Sequence, residues 1–132
     1  MEREWPLVSI AMPCYNRGSN LEKFIANIRK QSYPQDKIEI VLADFYSEDN
    51  TYEVAQKNGC SILRDHNPDM EYRRTLALKN CSGEYIFIAD DDNFFVNPDL
   101  IKNMVTVIED EDASAVECVW EYYDKKDYAT NR

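Results

Sequence analysis

The sequence predicts an α/β fold, a three-layer α/β/α arrangement around a mainly parallel sheet. Short apolar runs rich in β-forming residues alternate along the chain with stretches whose apolar residues recur at helical spacing. The connections between them are short, which is typical of βαβ units with helices on both faces of a sheet. A chain of 132 residues is long enough for one such domain and too short for two. We therefore expect a single domain over residues 1–132.

Five apolar segments are predicted to form the strands. Each is short, carries residues that favour strands, and is bounded by turn residues or acids. The fourth, which follows Gly83 and leads into three carboxylates, is expected to be a buried strand. In chain order the segments are residues 7–12, 37–43, 60–63, 84–89 and 113–120.

Four helices are predicted between and after these strands. Apolar residues at helical spacing are clearest in the first helix and in the last, which Asn97 is expected to cap with Pro98 at its first position. Capping boxes over residues 19–22 and 50–53 are expected to start the first two helices. The four helices are expected at about residues 19–31, 50–57, 71–80 and 98–108.

The fourth strand runs directly into three carboxylates, Asp90, Asp91 and Asp92. Adjacent acids repel one another, so keeping them together costs stability unless a cation or hydrogen bonds compensate. Mg²⁺ and Mn²⁺ prefer oxygen ligands and commonly use one or two carboxylates together with substrate phosphates. Because ligands of open α/β sheets bind at the carboxyl ends of the strands, this stretch predicts a metal-assisted phosphate site. A solvated acidic loop is the alternative interpretation.

Charge and cysteine content limit the classes of partner. The formal net charge of −10 argues against non-specific binding to nucleic acid or to anionic membranes, because both need a basic face. No apolar run is long enough to cross a bilayer. The four cysteines form no C-x-x-C pair, and the N-terminus has no signal h-region, so we expect reduced thiols in a cytoplasmic protein.

Five short motifs stand in a characteristic order along the chain. Residues 8–16 read V-S-I-A-M-P-C-Y-N and residues 31–34 read Q-S-Y-P. Asp44 ends the second strand and begins a segment similar to D-G-S-x-D-x-T. Arg74 stands nine residues before G-E-Y-I, and a D-x-D motif follows at residues 90–92. In order and spacing these motifs resemble the nucleotide-sugar-binding half of family 2 glycosyltransferases, which implies a Rossmann-like GT-A fold.

This resemblance implies a function, a cofactor and a set of site residues. The function is transfer of a sugar from a nucleoside-diphosphate sugar, UDP-sugar by preference, to an acceptor hydroxyl with the help of Mn²⁺ or Mg²⁺. The metal ligands it implies are Asp90 and Asp92. The nucleotide-binding residues it implies are Pro13, Tyr15, Asp44, Arg74 and Asp91.

Individual roles follow from the same resemblance. Tyr15 would pack on the face of the base, and Asp44 would accept the N–H of a uracil. Arg74, with Arg73 beside it as a further candidate, would face the base or the diphosphate. Asp91 would contact the ribose or the sugar.

Two features depart from the family pattern. Phe45 and Tyr46 are bulky where the family has a small turn, with Phe45 in the place of the glycine, so we expect a reshaped base pocket. No general base can be assigned, because the acceptor-binding half of the family follows the part that this chain resembles. We therefore expect a truncated chain, a partial gene product, or a domain that needs another chain, with an apolar face open to self-association as a homo-oligomer.

Two other function classes remain open. A binding module would hold nucleotide and metal without turnover, because it lacks a base. A phosphohydrolase of the haloacid-dehalogenase type also has a strand that ends in D-x-D. That class is disfavoured because its motif lies in the first strand, and because Phe94 stands where a threonine or valine is expected.

Overall fold

The computed structural model describes residues 3–118 and confirms the α/β fold. The chain divides into two compact units, one up to Lys102 and one from Asn103 onward. The first unit contains a four-stranded parallel sheet with the strand order β3-β2-β1-β4. Its strands are β1 (Val8–Cys14), β2 (Ile38–Asp44), β3 (Ser61–Arg64) and β4 (Tyr85–Ile88).

Three helices connect these strands and a fourth follows them. None of the helices in residues 3–118 is long and apolar enough to span a membrane. They are α1 (Gly18–Ile28), α2 (Thr51–Lys57), α3 (Met70–Lys79) and α4 (Leu100–Asp110), with a short 3-10 turn at Gln35–Lys37.

The order of the connections decides which face of the sheet each helix covers. The steps from β1 to β2 and from β2 to β3 move toward one edge, whereas the step from β3 to β4 returns across the sheet. Because parallel crossovers are right-handed, α1 and α2 lie on one face and α3 lies on the other. The winding therefore changes direction between β1 and β4, and the crevice beyond the carboxyl ends of these two strands is where such folds bind ligands.

Small residues let α3 pack closely on the sheet. Ala11, Val41 and Ala43 are fully buried on the same face together with Ala77 of α3. Since α3 leaves the carboxyl end of β3 and returns to the start of β4, its first turns lie at the carboxyl edge of the sheet. The packing of this helix therefore places residues near 70–74 beside the crevice.

The Q-S-Y-P motif follows α1, and its glutamine is hydrogen-bonded to the backbone around the start of α4. The first helix ends at Ile28 rather than near residue 31, and the chain then turns. The buried Gln31 side chain donates to the carbonyl of Asn97 at 2.8 Å and accepts the backbone N–H of Ile101 at 3.0 Å. The first backbone N–H groups of a helix have no acceptor within the helix itself. The Gln31 side chain supplies the acceptor for one of them in the first turn of α4.

The first strand is longer than predicted. It continues through Pro13 to Cys14, although a proline cannot donate to a strand neighbour. The pairing of β1 with β4 ends at Ala11, so beyond that residue β2 is the only strand of residues 3–118 that pairs with β1. Pro13 is tolerated because it occupies an edge position.

The prediction of a buried fourth strand was wrong. Tyr85 and Phe87 are half-buried, but Ile86 and Ile88 on the other face of β4 are 43% and 59% exposed. In the described part of the chain β4 is the edge strand of the sheet, and one of its faces is open to solvent. An apolar run alone does not distinguish such a strand from one covered on both faces.

The fifth strand is absent from the residues that can be described. Residues 113–118 form no strand, and residues 119 and 120 of the predicted segment lie outside the described range. The last helix begins two residues later than predicted, at Leu100 instead of Pro98. The Asn97 side chain accepts the N–H of Asp99 at 2.8 Å, Pro98 lies between them, and regular α-helix starts at Leu100.

Candidate functional site

A pocket of about 350 Å³ lies at the carboxyl ends of β1 and β4, where the winding of the sheet reverses. Its walls come from the end of β1, the start of α1, the start of α3 and the turn after β4. The residues that line it are Pro13, Cys14, Tyr15, Arg17, Met70, Arg73, Asp90, Asp91 and Asp92.

The structure brings five of the predicted site residues together in this pocket: Pro13, Tyr15, Asp90, Asp91 and Asp92. Asp44 and Arg74 are not among its lining residues. Arg17, Cys14 and Met70 line it without having been predicted, and Arg73 takes the place expected for Arg74.

Arg17 holds the middle carboxylate of the acidic run. Its Nε and Nη2 donate to the two oxygens of Asp91, each at 3.0 Å. A guanidinium matches a carboxylate in this two-pronged geometry, which is stronger than a single hydrogen bond. The bond from Asp91 and its negative charge raise the pKa of Arg17, with a further contribution from Asp92. Asp91 was predicted to contact the ribose or the sugar, but both of its carboxylate oxygens already accept hydrogen bonds from Arg17.

The other two acids differ in their partners. Arg74 Nη2 lies 3.3 Å from Asp90, and the same guanidinium lies 3.5 Å from Glu71 on its own helix. Asp92 accepts a 3.5 Å hydrogen bond from Asn93 and forms no ion pair with the described residues. The run of three carboxylates therefore keeps two arginines beside it, and Asp92 is the one of the three with no direct ion pair among residues 3–118.

A tight turn fixes the direction of these acids. The backbone N–H of Asp90 donates to the Asn93 side chain at 2.8 Å, and the N–H of Asn93 returns a bond to the carbonyl of Asp90 at 3.0 Å. The turn places all three carboxylates on the pocket wall within one short segment. Such closeness is what a shared phosphate or cation requires.

The N-terminus of α1 is capped by side chains that are distant in the sequence, not by residues of the helix itself. The predicted capping box over residues 19–22 is wrong, because α1 begins at Gly18 and no side chain of its own N-cap closes it. Instead Thr51 accepts the N–H of Arg17 at 2.9 Å, and Asp49 accepts the N–H of Gly18 at 3.1 Å. The D-x-T part of the third motif therefore fixes the position of Arg17, the residue that binds Asp91.

Asp49 stays ionised in this role. Burial would raise the pKa of Asp49, but hydrogen bonds from Thr51 and from the N–H of Gly18 outweigh it and lower the pKa. The second predicted capping box fails in the same way. Asn50 precedes α2 but its side chain accepts no bond from the helix.

Asp44 lies beneath the pocket and organises the turn after β2. It is fully buried, and its carboxylate accepts the N–H of Ser47 at 3.0 Å as well as the Ser47 hydroxyl. Cys14 donates to it at 3.6 Å, and Arg64 Nε lies 3.5 Å away. Burial, followed by the charge of Asp44, raises the pKa of the Cys14 thiol, so Cys14 is a neutral part of the pocket floor. The role of Asp44 toward a nucleobase stays a prediction.

The bulky turn after Asp44 has a different register from the one expected. Tyr46, not Phe45, has the left-handed conformation that glycine favours, with φ of 44°. The ring of Tyr46 stacks on His66 with centroids 3.9 Å apart, and Arg64 lies 5.4 Å above it. Phe45 is thereby free to lie against Tyr15, at 5.2 Å between ring centroids. The aromatic pair beside the pocket is a consequence of this turn.

A double-mutant cycle on Arg17 and Asp91 measures how much their ion pair contributes to the free energy of unfolding. We expect Arg17→Met and Asp91→Asn to show a coupling of about 1 kcal/mol in urea unfolding, since the pair is bidentate but Arg17 is half-exposed. The coupling should shrink as salt is added. Additive effects of the two changes would show that the pair contributes nothing to stability.

The pocket chemistry fits a divalent cation only together with a ligand that brings oxygens of its own. Among residues 3–118 no three His, Cys, Asp or Glu side chains come together as a complete metal site. Asp90 and Asp92 on one turn supply two carboxylates, and Mg²⁺ or Mn²⁺ commonly completes its shell with phosphate oxygens and water. The donor set therefore fits a metal that bridges to a bound phosphate.

Comparison with known proteins places the chain in a family. The model for glycosyl transferase family 2 matches residues 9–132. Glycosyltransferase GlyG of Streptococcus pneumoniae serotype 4 is 31% identical over 127 residues, which cover 92% of this chain and 41% of GlyG. The catalytic subunit of the UDP-forming cellulose synthase of Pseudomonas fluorescens is 31% identical over 93 residues, covering 68% of this chain and 13% of that protein.

A solved structure agrees with the sequence matches. The mannosyltransferase PcManGT of Pyrobaculum calidifontis, in complex with GDP-Man and Mn²⁺, superposes with a TM-score of 0.79 at 26% identity, over 95% of this chain and 38% of that one. This chain thus spans about two fifths of the length of GlyG and of PcManGT. The family match covers residues 9–132, and the superposition covers 95% of this chain. The chain belongs to glycosyl transferase family 2, with the GT-A fold.

Proposed function

We propose that the chain binds a nucleoside-diphosphate sugar in the pocket at the ends of β1 and β4 and takes part in transfer of that sugar to an acceptor hydroxyl. The observation that carries the proposal is the meeting of Tyr15 with the carboxylates Asp90 and Asp92 in one pocket at the switch point of the sheet. An aromatic face suits a nucleobase, and paired carboxylates suit a metal-bound diphosphate.

The residues of the chain then have separate tasks. Tyr15, backed by Phe45, offers a ring for the base. Asp90 and Asp92 would hold Mn²⁺ or Mg²⁺, and the bound cation would supply positive charge to stabilise a leaving diphosphate. Arg17 keeps Asp91 in place between them, so the turn retains its shape when the ligand is absent.

The donor we propose is a UDP-sugar, as the motifs suggest. The UDP-forming cellulose synthase among the relatives supports this choice, whereas PcManGT was solved with GDP-Man. The buried Asp44 is hydrogen-bonded within its own turn, so discrimination between the two bases depends on the shape of the aromatic wall around Tyr15 and Phe45. Binding of UDP and of GDP should therefore be compared directly.

The second candidate is a donor-binding module that does not turn over by itself. The observation in its favour concerns the acids that line the pocket, which are Asp90, Asp91 and Asp92. We assign Asp90 and Asp92 to the metal, and Asp91 is paired with Arg17. None is left there to act as a base toward an acceptor hydroxyl. Membership of family 2 argues against the phosphohydrolase alternative, and the D-x-D motif follows β4, not the first strand.

Calorimetric titration of the 132-residue chain with UDP and GDP tests the proposal. We expect binding of at least one of them to tighten by about tenfold or more when Mn²⁺ replaces EDTA, because the cation joins carboxylates to phosphate. Hydrolysis or transfer of the corresponding nucleotide sugar would assign turnover to the chain, and binding without turnover would favour the module. Equal affinity for the nucleotide with Mn²⁺ and with EDTA would contradict the metal role.

A further inference from the structure

Three of the four arginines near the carboxyl edge of the sheet have an acid as partner. Arg17 pairs with Asp91, Arg74 with Asp90, and Arg64 with Asp44. The fourth is Arg73, for which no ion pair exists within the described residues. It is also the most buried of the four, at 5% exposure.

Arg73 is incompletely satisfied where it lies. One of its terminal nitrogens, Nη1, donates to the carbonyl of Asn67 at 3.0 Å. Its Nε–H is buried and has no acceptor among the described residues. The guanidinium carbon lies 5.0 Å from the centre of the Phe45 ring, which offsets part of the cost of the buried charge. A buried cation with an unused donor remains expensive unless an anion joins it.

The same side chain lines the pocket. Arg73 forms the α3 wall together with Met70, one turn earlier on the helix, and faces the space that Tyr15 and the three acids also border. The acids in that space are held by Arg17 and Arg74 or are reserved for a cation. An anion that pairs with the Arg73 guanidinium must therefore be part of the ligand.

We propose that Arg73, and not its neighbour Arg74, is the arginine that binds a phosphate group of the nucleotide. The inference rests on the proposed function, because it takes the ligand to be a nucleotide. Arg73 supplies its charge without a metal, so the phosphates keep a part of their affinity when the cation is removed. A neutral base carbonyl would satisfy the free Nε–H but would leave the charge uncompensated.

The proposal has two opposite consequences for one variant. Arg73→Met removes a buried charge and an unsatisfied donor, so the ligand-free variant should melt at or above the temperature of the wild type. The same change should weaken phosphate binding. An arginine that served the fold alone would give the reverse, a lower melting temperature with unchanged ligand affinity.

The experiment compares nucleoside, monophosphate and diphosphate in EDTA. Titrations use uridine, UMP and UDP, and the guanosine series, with the full chain, Arg73→Met, and Lys79→Met as a control that removes an exposed cation from the same helix. We expect Arg73→Met to weaken UMP and UDP by about tenfold or more and uridine by less than about twofold. Arg73→Lys, which keeps the charge but loses the Nε–H and the planar fork, should lie between.

Each outcome separates the proposals. Equal losses for uridine and UDP would overturn the inference, since Arg73 would then contact the base. Unchanged affinity of Arg73→Met for the phosphates, while the wild type binds nucleotide, would also overturn it and would leave the proposed function intact. A wild-type chain that binds no nucleotide with or without Mn²⁺ would contradict both. If Arg73→Met fails to fold, the arginine is structural and the inference falls.

Discussion

Asp92→Asn is expected to remove the gain in nucleotide affinity that Mn²⁺ provides. Asp92 is the acid of the turn that forms no direct ion pair in the described part of the chain, so its oxygens are available to a cation. Loss of one of two carboxylate ligands should therefore cancel the tightening of about tenfold or more that Mn²⁺ gives the wild type, so that the variant binds equally with Mn²⁺ and with EDTA. Affinity measured in EDTA should stay close to that of the wild type.

Two comparisons make this result specific. Asp112→Asn removes one exposed acid from a left-handed position that asparagine also tolerates, and it should leave both affinities unchanged. Asp91→Asn should weaken the metal step less than Asp92→Asn does, because Asp91 already serves Arg17. A full gain from Mn²⁺ in Asp92→Asn would show that the cation does not use this carboxylate.

Gly83→Ala is expected to cause the largest loss of stability among the Gly→Ala changes at residues 18, 59 and 83. A Cβ at residue 83 would lie 2.6 Å from the backbone nitrogen of Ser9 and 2.8 Å from the backbone carbon of Val8. Both belong to β1, the central strand beside β4, and the N–H of Gly83 also donates to the Ser9 hydroxyl. Overpacking against backbone typically costs about 1–3 kcal/mol, and we expect the upper part of that range.

The chain offers matched glycines for comparison. At Gly18 the added Cβ would meet the Asn50 side chain at 1.9 Å, but that amide can move aside, so Gly18→Ala should cost less. At Gly59 there is open space and a φ of +73°, so the cost there is conformational, about 1 kcal/mol. Urea unfolding of the three variants should rank residue 83 as the most damaging. A Gly83→Ala variant as stable as the wild type would show that β4 does not enter the sheet as described.

The sequence predicted the parts of the site that depend on strand ends. Short apolar runs located β1 and β4, and the rule that ligands bind beyond the carboxyl ends of parallel strands predicted a site at the acids after β4. The resemblance to family 2 glycosyltransferases implied that Tyr15 would meet these acids. The structure confirms that meeting. It also confirms the helices near their expected positions, because apolar spacing records which face each helix buries.

The interactions that sequence reasoning missed are those between residues far apart in the chain. Arg17 and Asp91 are separated by 74 positions, and no local pattern marks them as a pair. The cap of α1 comes from Asp49 and Thr51, more than 30 positions away, so a local capping box was the wrong model. One signal was present, since Arg17 directly follows the Y-N motif at the end of a strand predicted to border the site.

The turn at Tyr46 shows a second limit of sequence reasoning. A glycine in the sequence normally indicates a residue with a left-handed backbone conformation. Here a bulky residue replaces the family glycine, so the sequence no longer indicates which residue of the turn is left-handed. Stacking on His66 and the nearby Arg64 supports the unfavourable conformation, and neither contact is visible in the local sequence. The left-handed residue is Tyr46, one position after Phe45, where the sequence places the family glycine.

A crystal structure of the chain with Mn²⁺ and UDP, or with GDP if that nucleotide binds more tightly, tests the central claim most directly. The proposed function predicts an anomalous manganese signal within coordination distance of Asp92 and of diphosphate oxygens, with the base against Tyr15. Nucleotide bound elsewhere, or manganese remote from the turn after β4, would contradict it.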